Sequence, residues 1–317
     1  MKILIEIPRW LGDAVMATPA IELLASHYKN ADITLFGSAI SIEVLSKAPY
    51  IKDTIIDNTK DYPFRVVALY RLFGDKKFDI AISFRSHIYS NLLLLFSGAK
   101  KRAIFKPKRY KNVHQVVKYH RFISQNMGLG DRDIGTLKLY YKPKKLHKKS
   151  IGINPGASYG SAKRWYPQKF AEVILAFVEE YDIIIFGSQA EESIANDIMK
   201  YLQTEDVQNR VTNLVGKTTI AELCAIIGGL ELFITGDSGP MHIATAYNIP
   251  TIALFGPTKS EETSPWKNRA SYIIRHKLEC APCMKRECPI KTHDCMRLIT
   301  SQEVIKRAQN ILKRSSF

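Results

Sequence analysis

The chain has 317 residues, 46% of them hydrophobic and 24% charged, which is long for one compact domain and ample for two, each with a buried core. No run approaches the roughly 20 apolar residues of a membrane span, residues 92–96 coming nearest, and the opening MKILIEIP reads as a first strand, not a targeting segment, so a cytoplasmic location is expected. Basic residues outnumber acidic ones 46 to 30, and the excess is one-sided: residues 1–150 hold 27 basic and 12 acidic, residues 151–317 hold 19 and 18.

Residues 2–7 are apolar and β-branched enough for a buried strand. In Pro8-Arg9-Trp10-Leu11-Gly12-Asp13 that strand turns into a helix, with Asp13 where an N-cap belongs. At a strand's carboxyl end the same carboxylate could take a proton from a hydroxyl nucleophile; on spacing alone the cap is the stronger reading. Residues 14–28 carry apolar side chains at helical spacing (Val15, Ala17, Ile21, Leu24). Strands follow at 32–36, 55–56 and 78–83, with helices at 62–72 and 88–96; residues 62–73 could also dip into a lipid leaflet, a core helix being the plainer reading. Residues 100–121 then carry nine Lys or Arg and no acid, including Lys100, Lys101, Arg102, Lys106, Lys108, Arg109 and Lys111. Such a segment attracts an anionic glycolipid, a membrane surface or a nucleic acid, where an ordinary charge run would be a solvated loop.

KPKKLHKK, residues 142–149, reads as a linker that divides the chain into 1–149 and 150–317. After it the alternation restarts, with strands at 150–154, 182–186, 232–235 and 251–255 and helices near 167–180, 190–202, 219–228 and 240–247. Strands alternating with helices imply parallel sheets covered on both faces, so the expected fold is α/β, two doubly wound Rossmann-like lobes facing a cleft.

The second half holds the loops suited to a diphosphate. NPGASYGSAKRW, residues 154–165, offers Gly, Ser158 and Lys163 without the GK[ST] ending of a Walker loop. GDSGPMH, residues 236–242, opens a helix at Pro240, so the N–H groups of Ser238 and Gly239 and the imidazole of His242 could meet phosphate oxygens beside Asp237. Gly187-Ser188 with Glu191 just beyond resembles a ribose site, although an acid in a first helical turn is commonly a dipole effect alone. Cys280, Cys283, Cys288 and Cys295 lie within 16 residues around His293, but not as paired CxxC knuckles, and no metal is assigned to them.

Four ordered stretches, RWLGDAVMATPAI, NPGASYGSAKRWYP, GDSGPMHIATAYNIPTIALFGPT and the Cys-rich tail, resemble glycosyltransferase family 9, the lipopolysaccharide heptosyltransferases, over nearly the whole length. AKRW and CAPCMKREC are most like the branch that adds the second core heptose. The resemblance implies a B-type glycosyltransferase fold, with acceptor on the first lobe and ADP-heptose on the second. It implies Asp13 as catalytic base, Lys163 on the phosphate, and Ser158 where the family has a Thr. Glu191 would bind the ribose, Asp237, Ser238, Gly239 and His242 would clamp the donor, and Thr218 would lie at the adenosine loop. The implied acceptor is a phosphorylated Kdo–lipid A core, reached by peripheral contact with the inner membrane face. No cofactor is expected to be required, and any Mg²⁺ effect would be secondary. Another family 9 core heptosyltransferase and a B-type sugar-nucleotide epimerase are the nearest rivals. A basic nucleic-acid-binding protein is disfavoured by the near-neutral second half.

Overall fold

The computed structural model describes residues 1–130, 132–156, 159–202 and 204–314, and the chain divides into two compact units, Met1–Tyr140 and Tyr141–Phe317. The first unit runs β1 (Lys2–Glu6), α1 (Leu11–Met16), α2 (Thr18–His27), β2 (Asp32–Gly37), α3 (Ala39–Leu45) and β3 (Ile51–Ile56). It continues with α4 (Arg65–Phe73), β4 (Ile80–Ser83), α5 (Ile88–Phe96), β5 (Lys101–Ile104) and α6 (Gln115–Met127). Its five strands are parallel, in the order β3-β2-β1-β4-β5. β1 is central and, apart from Lys2, buried, which is why KILIE reads as a nearly continuous apolar run.

The second unit runs β6 (Ser150–Asn154), α7 (Pro167–Phe177), β7 (Asp182–Ile185), α8 (Glu192–Tyr201), α9 (Glu205–Asn209) and β8 (Val211–Asn213). Then come α10 (Ile220–Ile227), β9 (Leu232–Gly236), α11 (Gly239–Ala246), β10 (Thr251–Leu254) and α12 (Ser260–Thr263). β11 (Tyr272–Ile274), α13 (Asp294–Arg297) and α14 (Ser301–Arg314) complete it. Its six parallel strands are ordered β11-β10-β9-β6-β7-β8, the doubly wound order in which chain direction reverses between β6 and β9. In such sheets ligands bind outside the carboxyl ends of the strands at that reversal. The expected α/β class with two Rossmann-like sheets is what the chain adopts.

Two sequence expectations change, and the basic stretch 100–121 gains a defined structure. The helix expected over 14–28 is two helices broken at Ala17, because Pro19 opens α2 where its missing N–H is tolerated and Thr18 Oγ1 donates back to Val15 O at 2.8 Å. The basic stretch 100–121 is not a solvated loop. It forms edge strand β5, a 3₁₀ turn (Pro107–Arg109) and the start of α6, anchored by buried Ala103, Phe105 and Tyr110, the two rings stacked at 5.8 Å. Lys101 and Arg102 on that outer strand discourage pairing with another chain. The division between units falls ahead of the expected linker, since the Tyr140 hydroxyl donates to Glu22 of the first unit while the Tyr141 carbonyl accepts from Tyr247 of the second. Residues 142–149 lie with the second unit, where Lys144 N–H donates to Ala225 O at 2.7 Å.

At the centre of β6, a β-carbon on Gly152 would come within 2.5 Å of Leu230, 2.7 Å of Phe233 and 3.0 Å of Phe186. The strand is packed to its backbone. Gly152→Ala is expected to lower unfolding stability by about 1–3 kcal/mol, the usual cost of overpacking, read as a lower urea midpoint at unchanged m.

Candidate functional site

The loops singled out in the second half converge on one sheet edge. Asn154, the last residue of β6, lies in register with Thr235 of β9. Asn154 Nδ2 donates to Ser238 Oγ at 3.3 Å, and the Thr235 and Ser238 hydroxyls are 2.9 Å apart. Ser238 has extended backbone and caps α11, with Pro240 in the first turn. The leading N–H groups of α11 therefore have no acceptor within the helix and carry its positive dipole end.

Lys163 closes the 3₁₀ turn Ser161–Lys163 after β6 and reaches across to the next loop. Its ammonium donates to Asp237 Oδ2 at 2.6 Å and to Asp237 O at 3.1 Å, and it sits 4.8 Å from the centre of the Tyr159 ring. The side chains are 12% and 8% exposed, so this is a nearly buried ion pair that ties the β6 and β9 loops together across the reversal point. Lys163 thus has two of its three ammonium protons on Asp237. His242 is buried in α11.

Gly187 follows β7, and Glu191 ends the short turn behind it. Glu191 is buried and accepts from Ser188 N–H at 2.6 Å and from Ser188 Oγ at 3.0 Å, a capping-box arrangement. Its other oxygen lies where a β-carbon on Gly156 would be, at 1.9 Å. Only glycine lets the β6 loop pass this close. Thr218 is half-buried after β8 and precedes Thr219, the cap of α10. The expected donor residues therefore follow β9, β6, β7 and β8, four neighbouring strands of one sheet. Ser158 lies outside the described residues.

The Cys-rich segment is docked on the Lys163 loop. Ala162 N–H donates to Arg286 O at 3.0 Å, the Tyr159 hydroxyl to Met284 O at 2.8 Å, and His293 Nε2 lies 2.8 Å from Ala162 O. Cys280, Cys283, Cys288 and Cys295 line one cavity of about 20 Å³ together with His293. Burial, followed by the neighbouring thiols, pushes the Cys295 thiol up to about 11, so it is protonated at neutral pH. No group of three or more His, Cys, Asp or Glu among the described residues is arranged to hold a metal ion. What the structure shows of the segment is a support for the loop that carries Lys163.

In the first unit Asp13 is not the helix cap. Trp10 holds that position with extended backbone, Ala14 N–H bonding Trp10 O at 2.9 Å, and Asp13 is the third residue of the first turn. The reason is local: once Trp10 leaves the helical region, Leu11 begins the hydrogen-bonded turn and an acid two residues later is favoured by the dipole alone. Asp13 is half-buried, and the Tyr119 hydroxyl of α6 donates to its Oδ1 at 3.4 Å. Burial, with the Asp13 charge beside it, holds the Tyr119 hydroxyl well above its ordinary range, so it remains a donor.

Sequence reasoning passed over a second group at the same edge, beside the β1/β4 reversal. Glu6, buried in β1, accepts from Ser83 Oγ at 2.5 Å and from Arg85 at 3.1 Å, while Asp57 binds Arg65 at 2.9 Å. An acid within KILIE was the available signal. Lys100, Lys101, Arg102, Lys106, Lys108, Arg109 and Lys111 are all exposed, whereas Lys118 of the same basic stretch is buried.

Removing one partner of a buried ion pair strands the other charge. Lys163→Met is expected to cost about 3 kcal/mol in urea unfolding, and adding Asp237→Asn to recover most of it.

The comparisons with known proteins agree with this geometry. Residues 66–293 match the family model for glycosyltransferase family 9 (heptosyltransferase). The chain is 41% identical to lipooligosaccharide heptosyltransferase 2 of Campylobacter jejuni serotype O:2, over 99% of both chains. It is 26% identical to lipopolysaccharide heptosyltransferase 2 of Escherichia coli K12, over 98% of this chain and 99% of that one. In fold it matches the solved structure of E. coli ADP-heptose LPS heptosyltransferase II with a TM-score of 0.82 and 23% identity over the full length of both. The chain belongs to glycosyltransferase family 9, the heptosyltransferase family.

Proposed function

We propose that the chain transfers L-glycero-D-manno-heptose from ADP-heptose to the first heptose of a phosphorylated Kdo–lipid A core, with inversion at the anomeric carbon. The observation that carries this reading is the alignment of the donor-type loops along β9, β6, β7 and β8, in a chain 41% identical to a relative named as a heptosyltransferase 2. Diphosphate charge would be met by the remaining Lys163 proton, by the leading N–H groups of α11 and by Ser238 and Gly239. His242 would lie behind them, Glu191 and Gly187 would face the ribose, and Thr218 the adenine side.

The base in this reading is Asp13. The Asp13 carboxylate lies in the first turn of α1, at the positive helix end, and the Tyr119 hydroxyl donates to it. Asp13 takes the proton of the acceptor hydroxyl as its oxygen bonds to C1 of the heptose. The bond from C1 to the β-phosphate oxygen breaks, and ADP leaves with the electron pair. Protein donors, not a metal, would stabilise that charge. The acceptor is a membrane glycolipid, so the chain would work at the inner face of the cytoplasmic membrane, and the exposed basic residues from Lys100 to Lys111 suit its phosphates.

Purified chain is incubated with ADP-heptose and Kdo–lipid A carrying either no heptose or one, with and without EDTA, and the lipids are weighed by mass spectrometry. The expected result is one added heptose on the mono-heptosyl acceptor alone, unaffected by EDTA. Asp13→Asn is expected to reduce kcat by about 10²–10⁴ with ADP-heptose affinity unchanged. Transfer to the heptose-free acceptor would make the chain the first heptosyltransferase of the core, and no transfer to either would overturn the assignment.

A further inference from the structure

Helices α4 and α5 lie side by side over one face of the first sheet. The Arg65 guanidinium sits 4.4 Å from the centre of the Tyr89 ring near their amino ends, and the Tyr70 and Phe96 rings meet at 5.5 Å near their carboxyl ends. Their inner faces supply Leu69, Phe73, Leu93 and Leu94 to a core shared with Leu4, Phe36 and Ala81 of the sheet. That core accounts for the inner faces only. On the outside, Tyr62 and Phe64 ahead of α4, Val67 and Tyr70 on it, and Ile88 and Leu95 on α5 are between 46% and 76% exposed. Scattered exposed apolar side chains need no explanation, but six large ones on one two-helix layer form the kind of patch that marks an interaction surface.

The charges around the patch say what it fits. Residues 60–77 carry five basic side chains (Lys60, Arg65, Arg71, Lys76, Lys77) against two acids, and residues 80–130 carry ten basic side chains and no acid. Lys60, Arg71, Lys76 and Lys77 are exposed alongside the apolar residues, and Lys100, Lys101 and Arg102 follow shortly after α5. A second copy of the chain laid face to face would bring these like charges together. An anionic bilayer offers the complement: phosphates for the lysines, and a headgroup boundary for Tyr and Phe, whose rings favour that depth.

We propose that the outer α4–α5 layer is a docking surface for an anionic phospholipid bilayer, with Phe64, Tyr70 and Ile88 entering the interface and the surrounding Lys and Arg on the headgroups. This deepens the reading above by naming the surface that would bring the chain to a lipid-linked acceptor. It is tested without either substrate, so its failure and that of the transfer reaction are told apart.

The full chain is sedimented with vesicles of phosphatidylethanolamine and phosphatidylglycerol, and separately with vesicles of phosphatidylcholine alone. Binding to the anionic vesicles that weakens with salt, and little binding to phosphatidylcholine, is expected. F64E/Y70E/I88E is expected to lose at least tenfold in vesicle affinity with its circular dichroism and ADP affinity unchanged. K60E/K76E/K77E leaves the apolar face intact and serves if the first variant does not fold; it is expected to lose affinity by roughly fivefold per charge removed. Absence of wild-type binding, or wild-type binding by a folded F64E/Y70E/I88E or by the charge variant, would overturn the proposal. So would a dimer by light scattering that F64E/Y70E/I88E converts to monomer, which would assign the face to a second copy.

Discussion

The ion pair between Lys163 and Asp237 is the contact on which the geometry of the second unit's loops turns. It joins residues 74 apart in sequence, one after β6 and one after β9, at the point where the doubly wound sheet reverses direction. The connections that leave these two paired strands run to opposite faces of the sheet, which opens a crevice outside their carboxyl ends, and a buried cation held at its rim needs a fixed partner. Asp237 supplies that partner through both its carboxylate and its carbonyl. The neighbouring contacts reinforce the arrangement: Asn154 and Thr235 hold Ser238, Glu191 presses against Gly156, and the Cys-rich segment braces Ala162 and Tyr159 from the other side.

The first unit repeats the strand order with different chemistry at its reversal. Glu6 and Asp57 are acids that hold Arg85 and Arg65, and Asp13 stands in the first turn of the helix that follows β1. Where the second unit gathers N–H donors and a lysine suited to an anion, the first presents a carboxylate with a hydroxyl donor beside it. Under the proposed function this contrast between two similar sheets corresponds to a division of labour between donor and acceptor. Both units are basic, the first more so: residues 1–140 hold 22 basic and 12 acidic side chains, residues 141–317 hold 24 and 18.

Much of this was legible in the sequence where local rules govern. Helix α5 falls on the residues expected of it, and β1, β6 and β9 fall within a residue, because buried parallel strands are short apolar runs. The positions of Asp237 and Ser238 at the end of β9, and of Lys163 in the loop after β6, followed from the same pattern. What was missed depends on partners distant in sequence. Nothing local reveals that Lys163 and Asp237 pair. Helix α6 was hidden because its buried Val116, Tyr119, Phe122 and Ile123 are interleaved with Lys and Arg. Residue type favours Asp13 as a cap, whereas the backbone of Trp10 decides the helix start. The sequence of α4 reads as a core helix, which holds for Leu69 and Phe73, and only the sheet beneath them shows that Val67 and Tyr70 face outward.

The proposed transfer requires the carboxyl edge between β6 and β9 to hold the diphosphate of the nucleotide. A crystal structure of the chain with ADP tests it most directly. A β-phosphate oxygen is expected within about 3 Å of Lys163 Nζ and of the leading N–H groups of α11, with Asp237 still on the same ammonium. ADP bound away from that edge, or bound with the Lys163 loop untouched, would contradict it.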